Sequence, residues 1–316
     1  MYHFIVNIHG GSGKAFLQWN KIRELLKEKN IEYITHVPLR VGHAEQIARD
    51  VSKLDESDIK IVVVGGDGTI NEVLNGIEDF SKIKLGLIPT GSGNDFSRGL
   101  NLPRHNYKKA LNLILNSTGD KKIDLGKAEI EESGLSDERI VHKSRIFGIS
   151  SGFGLDAIVG TEINTSKIKK VLNYIKMGKL SYAFLTVYTL FKMRTQTVTL
   201  KFDDEEPKSF SKMIFMAIMN FKAEGGGVPM APFASGFDGE LSFCMAAGIP
   251  KLLTFFAFPF LLMGKQKIFK SFTLRNFKSL EVTSNSSTIC HTDGELMGNV
   301  AKIKYTTLPA KLTVLV

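Results

Sequence analysis

Short apolar runs alternate, through the first third of the chain, with stretches whose apolar residues recur every three or four positions, and the two periods predict strands and helices in turn. Phe4 to Ile8 reads as a first strand. Ala15 to Lys29 carries Phe16, Trp19, Ile22, Leu25 and Leu26 at helical spacing, a first helix that puts Trp19 in the core. Tyr33 to Val37, Ile61 to Val64 and Leu85 to Ile88 supply further strands, and GHAEQIARDVSKL from Gly42 a second helix. Alternation of this kind to about residue 118 predicts an α/β unit of right-handed crossovers. Beyond Lys121 the texture changes. IDLGKAEI, SRIFGISSGFGLDAIV, VTLKF, FMAIMNF and LSFCMAAGI read as short strands between turns, with one helical region from Lys167 to Met193. The second half is therefore expected to be all-β, a sandwich over 123–307, after an α/β domain over 1–122 on which a last strand, 308–316, packs back.

The length of 316 residues leaves room for two such cores. Charge adds a constraint. The formal net charge of +9 attracts nucleic acid, anionic membrane or phosphorylated substrates. No helix-turn-helix, zinc finger or RNA-binding aromatic motif accompanies it, so specific nucleic-acid binding is not expected. Cys244 and Cys290 form neither a disulfide framework nor a metal-spaced cluster, which fits a reducing cytoplasm. The first residues, MYHFIVNIHG, lack a basic region and a long apolar core, so they read as a strand and not a signal peptide. Leu252 to Met263 is the longest apolar run; it contains Pro259 and is too short to cross a bilayer. A cytoplasmic, soluble or peripheral protein is expected.

Candidate chemistry concentrates in turns. Ile61 to Gly76, IVVVGGDGTINEVLNG, is a strand, a glycine turn and a helix start. Such a turn exposes backbone N–H groups and the positive end of a helix dipole, which suits phosphate. Asp67 would repel phosphate directly, so its place there makes sense with a divalent cation between them. An ordinary strand-to-helix turn is the alternative. GGSGK at Gly10 to Lys14 lacks the spacing of a Walker A loop. PTGSGNDFSRGL after the fourth strand is a second glycine turn, and two such turns at the ends of parallel strands should lie side by side. His43 either helps to hold a nucleotide or is a surface residue at a helix start. Asp124, Asp238, Asp293 and Glu295 sit in later turns, where Asp-Gly is also simply good turn chemistry. Two further stretches have two readings each. KIKKVLNYIKMGK is a solvated basic helix or a contact with anionic membrane; LLTFFAFPFLLMGK lines a lipid path, touches a membrane or is a buried helix.

With these residues in view, the chain resembles the diacylglycerol kinase catalytic-domain family, in its bacterial soluble lipid kinase branch, related to sphingosine and ceramide kinases. The resemblance rests on NIHGGSGK, GHAEQIA, VVVGGDGTINEVLNG, LGLIPTGSGNDFSRGL, IDLG, SGFGLDA, GGGVPMAPFASGFDGEL and TDGE, in the family's order. It implies a Rossmann-like, phosphofructokinase-like nucleotide domain, a β-sandwich, and an active site in the cleft between them. It also implies ATP held around Asn7, Gly10 and Gly11 and by Gly66, Asp67, Gly68, Thr69, Asn71 and Glu72, with Ser92 and Asn94 nearby. Asp67 would help to hold Mg-ATP, and Asp293 or Glu295 would meet the acceptor hydroxyl, Asp293 as the preferred proton acceptor. A second Mg²⁺ would be held by Asp238 with the carbonyls of Ser235 and Glu240, linked to the nucleotide through Asp95 and Asp124. Two departures stand out: Asn7-Ile8 replaces the usual Asn-Pro, and Pro38 a common threonine.

The implied reaction is phosphoryl transfer from Mg-ATP to a lipid hydroxyl, diacylglycerol first among acceptors, with phosphatidylglycerol, sphingosine or ceramide as alternatives. The implied partners are a lipid with a free hydroxyl and an anionic membrane touched peripherally; exposed strand edges in the β-rich half allow a homodimer. NAD or sugar kinases and a non-catalytic lipid-binding regulator are the rival readings.

Overall fold

The computed structural model describes residues 1–8, 14–133, 141–154, 190 and 192–316. The expectations for Gly10, Gly11 and the helical region from Lys167 fall largely or wholly outside these residues.

Strands β1 (Tyr2–Val6), β2 (Tyr33–His36), β3 (Ile59–Gly65) and β4 (Ile83–Pro89) lie parallel in the order β2-β1-β3-β4. Helices α1 (Lys14–Glu28), α2 (His43–Ser52), α3 (Asp67–Gly76), α4 (Asp95–Gly99) and α5 (Tyr107–Asn116) cover the sheet on both faces. The side-chain period of two explains how. Phe4, Val6, Val62 and Val64 meet Trp19, Ile22 and Leu26 of α1 and Leu111 and Ile114 of α5. Ile5, Ile61 and Val63 point the other way, to Ala44 and Ala48 of α2 and Ile70, Val73 and Leu74 of α3. A strand covered on both sides reads as an unbroken apolar run, which is why VVV needs no alternation.

Helices α2 and α3 cross closely enough that a Cβ on Gly76 would lie 2.1 Å from the Glu45 carbonyl oxygen and 2.8 Å from Ala48 Cβ. Alanine gains about 1 kcal/mol of helix propensity over glycine. Forcing the two backbones apart costs more, so Gly76→Ala should lose about 2 kcal/mol in denaturant unfolding.

The rest of the chain is antiparallel: β5 (Lys121–Ser133), β6 (Ser144–Phe147), β7 (Ser150–Gly154), β8 (Gln196–Phe202), β9 (Lys208–Met219), β10 (Leu241–Ala247), β11 (Phe272–Phe277), β12 (Ser279–Thr292) and β13 (Glu295–Val314). Phe147, Phe153, Met216, Phe243 and Tyr305 fill the core between them. The outer face of β9 and β10 is covered by α6 (Lys251–Leu262). Strand β13 is 20 residues long and spans both halves. It pairs with β12 and β5 and ends parallel to β4, Thr313 opposite Lys84 and Val314 opposite Leu85. The two halves therefore share one hydrogen-bonded framework, which fixes the turn at the start of β13 relative to the ends of β3 and β4. The parallel strands end within two residues of the sequence expectation, as at Phe4 to Ile8 against Tyr2–Val6; β9 instead begins at Lys208, seven residues before the expected Phe215, and the expected last strand over 308–316 is the end of one continuous strand that begins at Glu295.

Candidate active site

Only Gly66 separates β3 from α3, so the strand runs directly into a helix N-terminus. Gly65 pairs with Pro89 of β4, and Thr90 N donates to Gly65 O at 2.9 Å. The next residues touch through backbone alone: a Cβ on Gly91 would lie 2.7 Å from Gly66 Cα. The two glycine turns are thus side by side, as their positions at adjacent strand ends require. Asn7 Nδ2 donates to Thr69 Oγ1 at 3.0 Å and ties the end of β1 to α3. Asn94 Nδ2 donates to Gly91 O at 2.7 Å and braces the second turn, while Ser92 is exposed at its tip. Thr90 Oγ1, Asn94 Oδ1 and Ser97 Oγ are buried without a protein hydrogen-bond partner. Buried polar atoms are rarely left so, and three in one turn fit a site that a polar ligand or water completes.

Asp67 does something the sequence did not announce. Its carboxylate accepts from the backbone N–H of Asp95 and of Phe96, both at 3.1 Å, and so caps α4. Asn94, the residue at the helix cap position, makes no side-chain cap bond itself. Burial raises the Asp67 pKa to about 6 against those two hydrogen bonds, with the Asp95 and Asp293 carboxylates adding to the rise. A neighbouring cation would favour the ionised form and reverse the rise.

The opposite wall is the hairpin between β12 and β13. Thr292 pairs with Glu295 across a two-residue turn, Asp293 and Gly294, with φ of 50° and 86°. Both residues are left-handed, the requirement of a tight hairpin turn that Asp-Gly meets. The Asp293 carboxylate accepts four hydrogen bonds: from Asn71 Nδ2 (2.9 Å), Gly148 N (2.9 Å), Ile149 N (2.8 Å) and Ser150 N (3.0 Å). Burial pushes its pKa up, and the four donors pull it back in part.

Asn71 is oriented in turn by Arg145, which is 4% exposed. The guanidinium donates to Asn71 Oδ1 at 2.6 Å and to Glu45 Oε2 at 2.9 Å. Because the amide oxygen is taken by a cation, the amide nitrogen must face Asp293. A chain of contacts thus runs from α2 through Arg145 and α3 to the hairpin. Arg145 was not anticipated; the signal was a cation within the strand SRIF. Breaking a buried ion pair from one side typically costs about 3 to 5 kcal/mol. Arg145→Met, which strands Glu45 and frees the Asn71 amide, should lose about 3 kcal/mol in chemical denaturation.

Glu295 leans over the first turn of α3: its Oε1 would lie 2.8 Å from a Cβ on Gly68. Burial raises its pKa, with the Glu72 carboxylate second. Glu72 itself serves another helix, its Oε2 accepting from Ala44 N at 3.0 Å near the start of α2, where Gly42 offers no side chain. His43 Nδ1 accepts from Leu39 N at 3.0 Å, a contact within its own loop.

A second acidic group lies along β5. Asp124 is 3% exposed and accepts from Gly239 N and Ala310 N, both at 2.7 Å. It thereby holds the turn that carries Asp238. Asp238 is largely exposed, accepts from Glu240 N at 3.2 Å, and has its pKa raised by partial desolvation in the turn, with the Asp124 and Glu240 charges contributing. Ser235 is half-buried in the same turn. Asp95 pairs with Arg98 and accepts from Gly226 N at 2.7 Å. Asn220, also unanticipated, is fully buried and donates to Asp124 O (2.8 Å) and Gly148 O (2.9 Å), joining this group to the backbone that grips Asp293. Among the described residues, no group of three or more His, Cys, Asp or Glu side chains is placed to hold a metal. No helix among them is long and apolar enough to cross a membrane.

Comparison with known proteins places this geometry. Residues 1–128 match the diacylglycerol kinase catalytic domain, and residues 149–316 match the YegS C-terminal NAD kinase beta sandwich-like domain. A Bacillus subtilis protein named "Putative lipid kinase YtlR" is 27% identical over 300 residues, 94% of each chain. A Bacillus subtilis protein named diacylglycerol kinase is 29% identical over 220 residues, 69% of this chain and 64% of that one. A crystal structure titled as a diacylglycerol kinase from Bacillus anthracis superposes with a TM-score of 0.67 at 20% identity, covering 99% of this chain and 96% of the other. Two glycine turns in backbone contact, an Asp-Gly hairpin facing them and both matched domains lead to one assignment: the chain belongs to the family of the YegS C-terminal NAD kinase beta sandwich-like domain, carries a diacylglycerol kinase catalytic domain before it, and is an enzyme of the lipid kinase class.

Proposed function

We propose that the chain transfers the γ-phosphoryl group of Mg-ATP to the hydroxyl of a membrane lipid, with diacylglycerol as acceptor and phosphatidic acid as product, in a cleft between a Rossmann-like nucleotide domain and the β-rich half. One observation carries the reading: Asp293, from the β-rich half, is hydrogen-bonded to Asn71 on the helix that opens from the first glycine turn. A carboxylate in that place lies beside the backbone N–H groups suited to phosphate, where an incoming hydroxyl must lose its proton.

Phosphoryl transfer asks chiefly for positioning and charge stabilisation. The backbone around Asn7 and from Gly66 to Thr69 would orient the phosphates, with Ser92 and Asn94 closing the second turn over the nucleotide. Asp67 would hold the Mg²⁺ of Mg-ATP, which supplies neutralisation of charge on the transferring group when bound. The acceptor oxygen forms its bond to the γ-phosphorus as the bond to the bridging oxygen breaks and ADP leaves, and the acceptor proton passes to Asp293. Of the four donors on Asp293, Asn71 Nδ2 is the one side-chain group, and the hydroxyl would take its place. Glu295, over Gly68, supports the same step from the other side. A second Mg²⁺ would be held by Asp238 with the carbonyls of Ser235 and Glu240, a mixed oxygen set of the kind that hard cations accept. Asp124 and Asp95 would tie that turn to the nucleotide site.

The test is transfer of labelled phosphate from ATP to a panel of diacylglycerol, phosphatidylglycerol, sphingosine, ceramide, NAD and a soluble sugar. Label in diacylglycerol is expected; NAD is in the panel because the C-terminal match names an NAD kinase-like sandwich. Label in NAD or the sugar alone, or in nothing, overturns the proposal.

A further inference from the structure

Helix α6 has an apolar sequence nearly throughout, yet among the described residues only one of its sides is buried. Thr254, Ala257 and Leu261, spaced as one helical face, are 9%, 0% and 6% exposed, and Ala257 and Leu261 belong to the core that covers β9 and β10. Leu252, Leu253 and Phe256 on the other side are 63%, 51% and 62% exposed, and Met263 and Ile268 just beyond continue the surface at 56% and 63%. An all-round apolar helix is expected to be buried or in contact with lipid, and this one is half in water. Half of the large apolar side chains exposed among the described residues fall between Phe233 and Ile268.

Charge identifies the occupant. From Leu241 to Leu280 the chain has no Asp or Glu, where its average would put about four, and it has Lys251, Lys265, Lys267, Lys270, Arg275 and Lys278. Lys265, Lys267 and Lys270 are exposed around the 3-10 turn that follows α6. Arg275 is paired with Glu205, which leaves Lys265, Lys267 and Lys270 as the exposed cations beside α6; an apolar face edged by three such lysines, in a stretch without acids of its own, matches a surface of acyl chains below anionic headgroups. A second copy of the same chain would set these lysines against one another.

The face is also fastened to the site. Gln266, fully buried in that turn, donates through Nε2 to Pro229 O (3.0 Å) and Met230 O (2.8 Å). A few residues earlier in the same segment, Gly226 N donates to Asp95 Oδ2 at 2.7 Å, and Asp95 N in turn donates to Asp67.

We propose that α6 and the lysine turn after it form the membrane-docking face, seating the enzyme on an anionic bilayer. Its purpose rests on the lipid-acceptor reading above, as do the turnover arms of its test; the vesicle-binding arms do not. The full chain is floated with vesicles of phosphatidylcholine alone or with phosphatidylglycerol. Two variants accompany it, Leu252→Ser with Leu253→Ser, and Lys265→Gln with Lys267→Gln and Lys270→Gln. The protein should bind the anionic vesicles, and the triple variant should partition about a hundredfold more weakly, at roughly fivefold per lysine near the surface. The double variant should bind poorly to both vesicle types. Both should melt at the parent temperature, because the altered side chains are exposed. Both should phosphorylate dispersed short-chain diacylglycerol like the parent but vesicle-embedded lipid at least tenfold more slowly.

Parent-like vesicle binding by both variants overturns the docking face. So does parent-like turnover of vesicle lipid, which leaves the kinase reading intact. So does concentration-dependent self-association abolished by the α6 changes, which would give the face to a second copy. Variant-sensitive vesicle binding by a protein that phosphorylates no lipid upholds the face and refutes the kinase reading.

Discussion

Asp293→Asn should lower lipid phosphorylation by about 10² to 10⁴, the usual range for loss of a general base, while nucleotide binding persists. The substitution preserves shape and removes the charge. It also disturbs the grip on the hairpin. An amide can accept from Ile149 N and Ser150 N through its oxygen, but then its NH₂ faces Gly148 N and Asn71 Nδ2, which are donors. Each buried donor left unmatched costs about 1 to 3 kcal/mol, so the variant should be less stable as well as inactive. Initial rates taken well below its unfolding temperature, with titration of a non-hydrolysable ATP analogue, separate the two effects. Glu295→Gln is the comparison. Its carboxylate lies over Gly68 and outside the backbone grip on Asp293, so it should fold normally and lose roughly tenfold in turnover, a fraction of the general-base range. The opposite ranking would pass the proton to Glu295 and leave Asp293 as the residue that shapes the turn. Near-parent turnover in both variants would remove the hairpin from the chemistry altogether.

Asp67→Asn should raise the KM for Mg-ATP by about ten- to a hundredfold, as expected when an interaction of roughly 1.4 to 2.7 kcal/mol is lost from nucleotide binding. Part of that loss is structural. Asparagine can accept from only one of Asp95 N and Phe96 N through its oxygen, so the start of α4 loosens and the second glycine turn with it. The distinguishing measurement is the dependence of rate on free Mg²⁺ at fixed ATP and fixed lipid. A role in holding the ion shifts that dependence to higher Mg²⁺; a purely structural role lowers the rate at every Mg²⁺ concentration and leaves the midpoint unmoved. An unchanged midpoint and an unchanged KM would confine Asp67 to capping α4.

Both variants act where local and distant interactions meet, and the same division separates what could be read in the chain from what could not. Apolar runs of β1, β3 and β4 were legible because strands covered on both faces need no alternation, and α1 because its apolar residues repeat at helical spacing. Glycine turns at adjacent strand ends were legible as neighbours, and so was the Asp293-Gly294 hairpin, because turn chemistry is decided by the few residues that form it. Helix α6 was legible as an apolar segment, but an all-round apolar pattern carries no direction, so which side faces out was decided by the packing of Ala257 and Leu261 on β9 and β10.

The chain by itself determined the parallel strands, the two glycine turns and the acidic turns that could serve them. Tertiary structure decided how the acids are used: Asp67 as the cap of α4, Glu72 as the acceptor at α2, and Asp293 in the grip of Asn71 and the 148–150 backbone. Asn71 and Asp293 are 222 residues apart, and Arg145 is 74 residues from Asn71. No local rule reaches that far. Their meeting depends on the register of β13 against β12, β5 and β4, which is settled by the packing of the whole framework and not by any one segment.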